Sequence, residues 1–335
     1  MEFFGLFFDS IISLFSDFIN PKKRVFIGYL LLSIGLAFVW LMLARKLSSH
    51  SASRKIFDLN IFWSASAKAD YKIFILNRAF TFFLSPLLLS QIAIATSLYF
   101  ALHSQSYIHQ GQFSDVHKAA IVGLFSVTMF LVDDFSKYIL HRWMHKIPAL
   151  WAIHKVHHSA ETLTPITVYR VHPLEGVLYA SRSALAQGSV MACFIFLFGN
   201  QVDLYTVVGV NVLVFFFHIT GSNLRHSHIS IRYWPWLEHI LISPAQHQVH
   251  HSIAKEHYDK NFGVALAVWD WCFGSLHLSE KNSDLKFGLL QEENSSSSDL
   301  ITLYIKPVLE VFNIAKKYFI DFFHYAFLKL NLKKE

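Results

Sequence analysis

Cysteine and charge are both scarce in this sequence. Only Cys193 and Cys272 are present, and Cys193 lies within an apolar run, so a disulfide framework and a cysteine-rich zinc site are both excluded. Charged residues make up 16% of the chain, hydrophobic residues make up 53%, and phenylalanine occurs 33 times. This balance is too apolar for an ordinary soluble domain and predicts a membrane protein. The basic residues flank apolar runs, so the net charge of +6 indicates contact with anionic lipid headgroups rather than with nucleic acid.

Five apolar runs are candidate membrane segments. The clearest carries no charge and has the length of about 20 residues that crosses a hydrocarbon core. In chain order the five runs are 25–44, about 79–102, about 119–140, about 177–199 and the shorter 204–217. The last two would form a hairpin through the membrane, or alternatively a buried helical pair in a soluble core. We therefore predict an all-α fold, a polytopic membrane helical bundle with about four to five membrane segments and a histidine-rich helical cap.

The basic residues also predict an orientation. The loop between the first two runs contains Arg45, Lys46, Arg54, Lys55, Lys68, Lys72 and Arg78, whereas residues 102–118 contain only the terminal lysine. The positive-inside rule places the first of these loops in the cytoplasm, and alternation then places every histidine cluster there too. The three basic residues at 22–24 argue against this orientation. The expected location is a multi-pass position in a bacterial inner membrane or the endoplasmic reticulum, with the cap on the cytoplasmic face.

The two ends of the chain suggest accessory segments. Residues 1–20 have apolar side chains at helical spacing but no basic n-region, which favours an interfacial amphipathic helix over a signal peptide. A serine-rich linker at 292–299 precedes a segment, 300–335, predicted to form one or two amphipathic helices that dock on the membrane or on the protein. Between the ends we predict an N-terminal transmembrane region, 21–118, and a histidine-rich catalytic domain, 119–291.

Histidine is abundant, with 20 copies, and three clusters stand out. "HRWMH" places two rings on one face of a helix that continues the third run, and "HKVHH" and "HQVHH" each present three rings from one helical turn. The eight histidines are His141, His145, His154, His157, His158, His247, His250 and His251. A single zinc takes about four ligands, so eight imidazoles predict two metals. Imidazole suits iron, zinc, copper or nickel, and the spacing does not choose among them.

The placement of these clusters narrows the chemistry. They would converge just below the bilayer, where a lipid chain can enter, and oxidising an unactivated C–H bond needs a metal that handles dioxygen, which zinc does not. A zinc-dependent membrane hydrolase remains an alternative, but it would be expected to add a glutamate as in H-E-x-x-H, and that motif is absent. A metal carrier or transporter is another alternative, and it would place histidines along a path within the spans.

Several motifs in order resemble the fatty acid hydroxylase and sterol desaturase superfamily of membrane di-iron enzymes. They are "HRWMH", "HKVHHS", "RVHPLEG", "SPAQHQVHHS" and "DKNFGVALAVWDWCFGSLH", over roughly 133–277. The resemblance implies two iron ions, O2 as cosubstrate and a lipid substrate such as a sterol or fatty acyl chain. It also implies a separate electron donor of the cytochrome b5, ferredoxin or reductase type. Hydroxylation is our preferred outcome, and desaturation remains open.

The resemblance also indicates a further ligand about twenty residues before the last cluster. "RHSHIS" offers His226 at that place as a ninth ligand. His228 stands where the family tends to have asparagine, so we predict a tenth ligand or a residue that holds a metal-bound water. His218, at the end of the fifth run, is predicted to be a cavity residue that does not bind metal.

Three polar residues are candidates for supporting the ligands. Asp134 lies at membrane depth, where carboxylates are costly and tend to be functional, and we predict that it orients the His141 ring. His172 and Glu175 could also orient ligand imidazoles. Their alternative role is to cap the helix that follows. Asp259, Asn261 and Asp270 are predicted to fix loops by hydrogen bonds, and His103, His109 and His117 to take no part in the site.

Overall fold

The computed structural model describes residues 16–21, 23–84, 88, 90–202, 222–280, 284–290 and 298–331. Within these ranges every regular element is helical, and two isolated bridges, Leu241 with Leu266 and Ser252 with Phe287, are the β-type pairings. The predicted all-α class is confirmed. Most of the predicted interfacial helix, the fifth apolar run and most of the serine-rich linker lie outside the described residues.

The described part of the chain contains twelve α-helices. They are α1 (Ile27–Leu43), α2 (Ser49–Ile56), α3 (Leu59–Phe62), α4 (Ala65–Leu84), α5 (Gln91–His103), α6 (Lys118–Lys146), α7 (Pro148–His158), α8 (Pro173–Phe198), α9 (Pro235–Glu238), α10 (Pro244–His250), α11 (Val268–Cys272) and α12 (Leu300–Asn331). Short 3-10 helices occur at Pro165–Tyr169, Gly199–Gln201, Ser222–Leu224 and Lys255–His257.

Helices α6 and α8 are, among the described helices, the two that are long and apolar enough to cross a membrane. They correspond to the third and fourth predicted runs. Their shared core pairs the start of α6 with the end of α8, so the two helices are antiparallel; its residues are Ile121, Phe125, Met129, Val190, Phe194 and Phe198. With 29 residues, α6 is about 43 Å long. The predicted count of four to five membrane segments is not confirmed.

The second predicted run does not form one helix. Helix α4 ends at Leu84 and α5 begins at Gln91, and the intervening sequence contains Pro86, which cannot continue a helical hydrogen-bond pattern. Helix α5 packs closely on α8. A Cβ at Gly188 would lie 2.9 Å from the carbonyl oxygen of Gln91, so the glycine permits this approach of the two backbones.

Helix α1 lies beside the segment that carries His226. Near its start, Arg24 donates from Nε to Asn223 Oδ1 at 3.1 Å, and near its end Trp40 donates from Nε1 to the carbonyl oxygen of Ser230 at 3.0 Å. The segment between these two partners begins in the 3-10 helix Ser222–Leu224, continues through turns and carries His226. Both ends of α1 therefore contact the segment that carries His226. This contact was not expected for a helix predicted to be the first membrane span.

The C-terminal segment forms one long helix, α12, whose first half docks on the protein. Lys155 of α7 pairs with Glu310 at 2.6 Å, and Leu303 packs with Ile73 and Val156. These contacts tie α12 to the helix that carries the first H-x-x-H-H motif.

Candidate metal centre

Nine buried or half-buried histidines form two groups. Within each group the candidate ligand nitrogens all lie within 4.8 Å of one another. The five-histidine group consists of His141, His145, His154, His158 and His250, and the four-histidine group consists of His157, His226, His247 and His251. These nine are the eight histidines of the three clusters together with His226.

Each H-x-x-H-H motif is divided between the groups. In α7 the residues at i and i+4, His154 and His158, share the five-histidine group, while His157 joins the other. In the second motif His247 and the helix C-cap His251 share the four-histidine group, while His250 crosses to the first. Because i and i+4 rings lie one above the other and the i+3 ring is displaced around the helix, one turn can serve two neighbouring sites.

Local sequence explains where these helices begin. Ile147 ends α6 and directly precedes α7, whose first residue is Pro148, so the chain turns sharply and α7 returns its histidines toward those of α6. Helix α10 starts with a capping box between Ser243 and Gln246, followed by a proline. Both short helices thus have strong N-terminal signals just before their histidines.

The five-histidine group has nitrogens suited to a metal. The buried Nε2 atoms of His145, His154, His158 and His250 have no hydrogen-bond partner among the described residues. A buried nitrogen without a partner is costly, and a bound metal would satisfy it. On the opposite side of the rings, the Nδ1 atoms of His141, His154 and His250 lie 2.8 Å from the carbonyl oxygen of Phe262, 2.9 Å from Glu175 Oε1 and 2.7 Å from the carbonyl oxygen of Lys260. Ligand histidines characteristically donate their other N–H in this way.

The four-histidine group has the spacing expected around one ion. Nε2 of His226 lies 3.1 Å from Nε2 of His157 and 2.9 Å from Nε2 of His247, which is 3.3 Å from Nε2 of His251. Zinc–imidazole bonds are about 2.0–2.1 Å long, so two such nitrogens at right angles on one ion lie about 3.0 Å apart. The residues present therefore fit a metal in both groups.

Burial keeps these rings in the form that binds metal. Removal from water, reinforced by neighbouring histidines, lowers the pKa of His157, His158, His226, His247 and His251 well below the usual value. Burial also lowers the pKa of His250 to about 3. The neutral imidazole with a free lone pair is the metal-binding state, so these six rings do not have to lose protons near neutral pH before a metal binds.

The loop after α10 fixes two of the rings. Its backbone supplies the carbonyl oxygens of Lys260 and Phe262 to His250 and His141. Asn261, which has a positive φ of 56°, donates to the carbonyl oxygens of Gln246 and His277, and Asp270 accepts from the backbone N–H groups of Phe262 and Gly263. Asparagine tolerates this left-handed conformation better than most residues. The loop is thus held by side chains and presents its carbonyls to the ligands.

A buried arginine, to which the sequence analysis assigned no role, holds the end of α7. The Arg170 side chain is fully buried and donates to the carbonyl oxygen of Val156 and to Ser159 Oγ, and its guanidinium pairs with Asp70 at 2.9 Å. Its own carbonyl oxygen accepts from His157 Nδ1 at 3.3 Å. Arg170 thus links α4, α7 and a histidine of the four-histidine group. Its partner lies 100 residues away in the sequence, so no local pattern signals the pair.

The three predicted supporting residues have different positions. Glu175 contacts the ring of His154. His172 instead caps α8, where its Nδ1 accepts from the N–H of Leu174 at 3.2 Å, and its Nε2 contacts the carbonyl oxygen of Tyr304 at 3.0 Å. The role of His172 in the structure is therefore the alternative one, capping the helix that follows.

Asp134 does not contact His141, contrary to expectation. It accepts from the backbone N–H groups of Ala265 and Leu266 at 2.9 and 3.1 Å and from Trp269 Nε1 at 3.0 Å. The Phe262 carbonyl takes the place that we assigned to Asp134. A carboxylate that accepts three N–H groups has little capacity left for a ring, so Asp134 fixes the loop that follows Phe262.

His228 lies outside both groups. Its Nε2 is 2.7 Å from the carbonyl oxygen of Lys55, and its ring packs edge-on against Phe62. The structure thus does not place His228 as a tenth ligand, because its side chain points toward α2 and α3. His218 is outside the described residues, and His103 contacts Phe196 at the far end of α8.

Two cavities reach the histidines from different directions. The span-side cavity, about 310 Å³, is lined by His141, His154, His157, His226 and His247 together with side chains of α6 and α8 such as Phe130 and Tyr179. The loop-side cavity, about 290 Å³, is lined by His145, His158, His250 and His251 together with Tyr258 and Leu290. The first lies along the two candidate membrane helices, so a molecule from the membrane side can approach the histidines there.

Comparison with known proteins gives one consistent answer. Residues 126–275 match the fatty acid hydroxylase family. The human alkylglycerol monooxygenase is 28% identical over 166 residues, covering 50% of this chain and 33% of its own. The ornithine lipid hydroxylase of Rhizobium tropici is 28% identical over 166 residues, covering 49% and 46%. The Delta(7)-sterol 5(6)-desaturase of Eremothecium gossypii is 27% identical over 176 residues, covering 52% and 43%.

The chain thus spans between a third and a half of the length of these curated relatives. No solved structure matches the chain.

Proposed function

Through residues 126–275 this chain belongs to the fatty acid hydroxylase family, and from this premise we propose that it is a membrane-bound oxygenase that hydroxylates or desaturates a lipid. The observation that carries the proposal is the pair of histidine groups beside a cavity that runs along two apolar helices. The three relatives described above are named as a monooxygenase, a hydroxylase and a desaturase, and each name specifies a lipid.

We further propose that each histidine group holds one iron ion. Two irons would supply the redox chemistry with O2 that oxidation of a C–H bond requires and that zinc lacks. The ligands would be the nine grouped histidines, five for one ion and four for the other.

The chain's own residues position the ligands and shield the site. Four groups fix ring orientations, so the histidines are preorganised before a metal arrives: Glu175 and the carbonyl oxygens of Lys260, Phe262 and Arg170. The apolar walls of the span-side cavity, including Phe130 and Val264, keep bulk water from the reacting carbon. We propose hydroxylation as the outcome, with desaturation as the alternative.

The proposed topology places the histidines on the cytoplasmic face. The antiparallel helices α6 and α8 have the histidines at one end, while residues 111–113 bond to the last turn of α8 at the other. Both ends of α1 contact the segment that carries His226, which supports an arrangement in which the basic residues before and after α1 share one face. In this arrangement the basic residues at 22–24 lie on the same face as the basic loop after α1, so they no longer argue against the predicted orientation. We propose a separate cytosolic protein as the electron donor.

Metal analysis and lipid analysis together test this function. Protein purified after iron-supplemented growth should contain about two irons per chain. Lipid extracts of cells with the protein, compared with cells lacking it, should contain a species heavier by one oxygen or lighter by two hydrogens. A double variant, His145→Ala with His247→Ala, removes one ligand from each group and should abolish both results, while His109→Ala serves as the matched control. One metal per chain, with activity restored by zinc alone, would contradict the proposal.

A further inference from the structure

Two histidines outside both groups lie against each other. His257 ends the 3-10 helix Lys255–His257, and His277 lies in the segment that follows α11. Their ring centroids are 5.1 Å apart, with an interplanar angle of 76°. His257 is 9% exposed, and the Nδ1 atoms of both rings are buried without a hydrogen-bond partner among the described residues. A buried nitrogen without a partner is costly, so each ring has a nitrogen that a ligand would stabilise.

The relative position of these two rings is that of histidines within one candidate metal group. Inside the two groups, the centroids of paired rings lie 4.4–5.2 Å apart at interplanar angles of 59–88°. Neighbouring rings from different groups are 5.5–5.7 Å apart, except for one nearly parallel pair at 4.6 Å and 27°. The distance and the angle between His257 and His277 both fall in the first range. The two rings are therefore arranged like two ligands of one ion.

The charges near the pair favour a cation. Burial, and after it His277, lowers the pKa of His257, while the carboxylates of Glu256 and Glu280 act on it in the opposite direction. Both glutamates are exposed, so their side chains can turn toward a bound ion. Neutral imidazole is the form that binds metal, and nearby negative charge attracts a divalent ion.

We propose that His257 and His277 form a further metal site, separate from the two histidine groups, for a divalent transition metal ion such as Zn²⁺. Imidazole is an ordinary ligand of such ions, and water completes the coordination. Neither histidine lines the span-side or the loop-side cavity, so the role of this ion is structural. The inference goes beyond the proposed function and does not rest on it, because it requires neither iron nor a lipid.

An ion at this site closes the loop that orients two of the grouped histidines. His257 and His277 flank residues 258–276, which contain the two carbonyl oxygens that contact His141 and His250. The far end of this loop is already tied to its middle, because the N–H of His277 donates to Asn261 Oδ1 at 2.8 Å and its carbonyl oxygen accepts from Asn261 Nδ2 at 2.9 Å. A metal bond between the two flanking rings joins the near end to the far end. Opening the loop then requires loss of the ion.

Zinc binding to the unmodified protein tests the site. Purified full-length protein in detergent, with its histidine groups loaded with iron, is dialysed to equilibrium against micromolar Zn²⁺. One zinc per chain should bind while the iron content stays the same. The zinc X-ray absorption spectrum should show two imidazole nitrogens at about 2.0–2.1 Å, with oxygen ligands in addition. Failure to bind zinc would overturn the inference, and so would zinc with four or five imidazoles and a matching loss of iron, because that zinc would occupy the histidine groups.

Substitutions assign the bound zinc to these two rings. His257→Gln and His277→Gln should each lose the added zinc and keep the metal of the two groups. The control is His239→Gln, because the Nδ1 atom of His239 already has a partner, the carbonyl oxygen of Pro235 at 2.8 Å. If the groups take up zinc instead of iron, the unmodified protein should bind three zinc ions and each variant two. A His257→Gln or His277→Gln protein that binds as much zinc as the control would contradict the proposal.

Hydrogen exchange tests the structural role of the ion. Saturating zinc should slow amide exchange in residues 258–276 of the unmodified protein by about tenfold or more, because the closed loop has to release the ion before it opens. His257→Gln should exchange at the same rate with and without zinc. An unchanged rate in the unmodified protein with zinc bound would overturn the proposal that the ion closes this loop.

Discussion

Nδ1 of His154 lies 2.9 Å from Oε1 of Glu175, and both side chains are 2% exposed. A carboxylate at this distance holds the ring proton on Nδ1, which leaves the lone pair of Nε2 directed into the five-histidine group. Glu175 lies in the first turn of α8, so it also ties a candidate membrane helix to the five-histidine group. One contact thus fixes a tautomer, a ring orientation and the position of a helix end.

Replacing Glu175 by glutamine tests this contact. The amide oxygen of Glu175→Gln can still accept the hydrogen bond, but without charge it makes Nε2 of His154 a weaker ligand. We expect the iron affinity of the site to fall by about 10–100-fold, the range found when a ligand's supporting partner is removed. Chelator competition on purified protein measures the affinity. Glu310→Gln is the control. Glu310, on α12, pairs with Lys155, which lies on the same helix as His154, but it does not contact the histidines. Equal affinity in the two variants would refute the role of Glu175.

The eight clustered histidines were predictable because their spacing is local. Ring positions at i and i+4 follow from helix geometry alone, and that geometry brings His141 together with His145. The division of His157 and His250 between groups depends on how three helices pack, which no local pattern encodes. The same reason explains why Asp134 was assigned to the wrong partner, since the Phe262 carbonyl that replaces it lies 121 residues from His141.

The broken second run and the position of α1 were missed for a related reason. The length of an apolar run predicts burial in a membrane or in protein, but it does not distinguish one long helix from two shorter ones. Here α4 ends at Leu84 and α5 begins at Gln91. For α1, the contacts of Arg24 and Trp40 with the segment before His247 are long-range and leave no periodic signal in the sequence.

Gly263 should be intolerant of a side chain. A Cβ at this position would lie 2.5 Å from the carbonyl oxygen of Leu266 and 2.8 Å from Asp270 Oδ2, so the loop that supports His141 and His250 would have to shift. We expect Gly263→Ala to lower the free energy of unfolding by about 1–3 kcal/mol, as overpacking does, and to weaken metal binding. Thermal unfolding and metal content measure the two effects.

A matched glycine provides the control for this substitution. Gly123, in the second turn of α6, has open space where a Cβ would be, and alanine is the better helix former. Gly123→Ala should leave metal content and stability unchanged or slightly raise the melting temperature. Equal behaviour of the two variants would mean that the 260–263 loop does not position the ligands.

Histidine replacements should distinguish metal ligands from histidines that only lie nearby. His226→Ala removes a ring whose Nε2 lies about 3 Å from two others in the four-histidine group, so iron content and lipid oxidation should both be lost. His228→Ala removes only a hydrogen bond to a backbone carbonyl and an edge contact with Phe62, so it should retain iron and cost about 1 kcal/mol of stability. Loss of iron in His228→Ala with retention in His226→Ala would reverse the assignment.

Thiol labelling of single-cysteine variants tests the proposed topology. In a background with Cys193→Ala and Cys272→Ala, cysteines at Lys23, Ser51 and Glu256 should be protected from an impermeant reagent in intact cells, and one at Ser104 should react. All four positions are exposed in the structure, so access to the reagent depends only on the side of the membrane. Lys23→Cys is decisive for α1. If α1 crosses the membrane, Lys23→Cys and Ser51→Cys will differ in labelling. If both ends of α1 lie on the histidine side, as we propose from its contacts with Asn223 and Ser230, both will stay protected until the cells are opened.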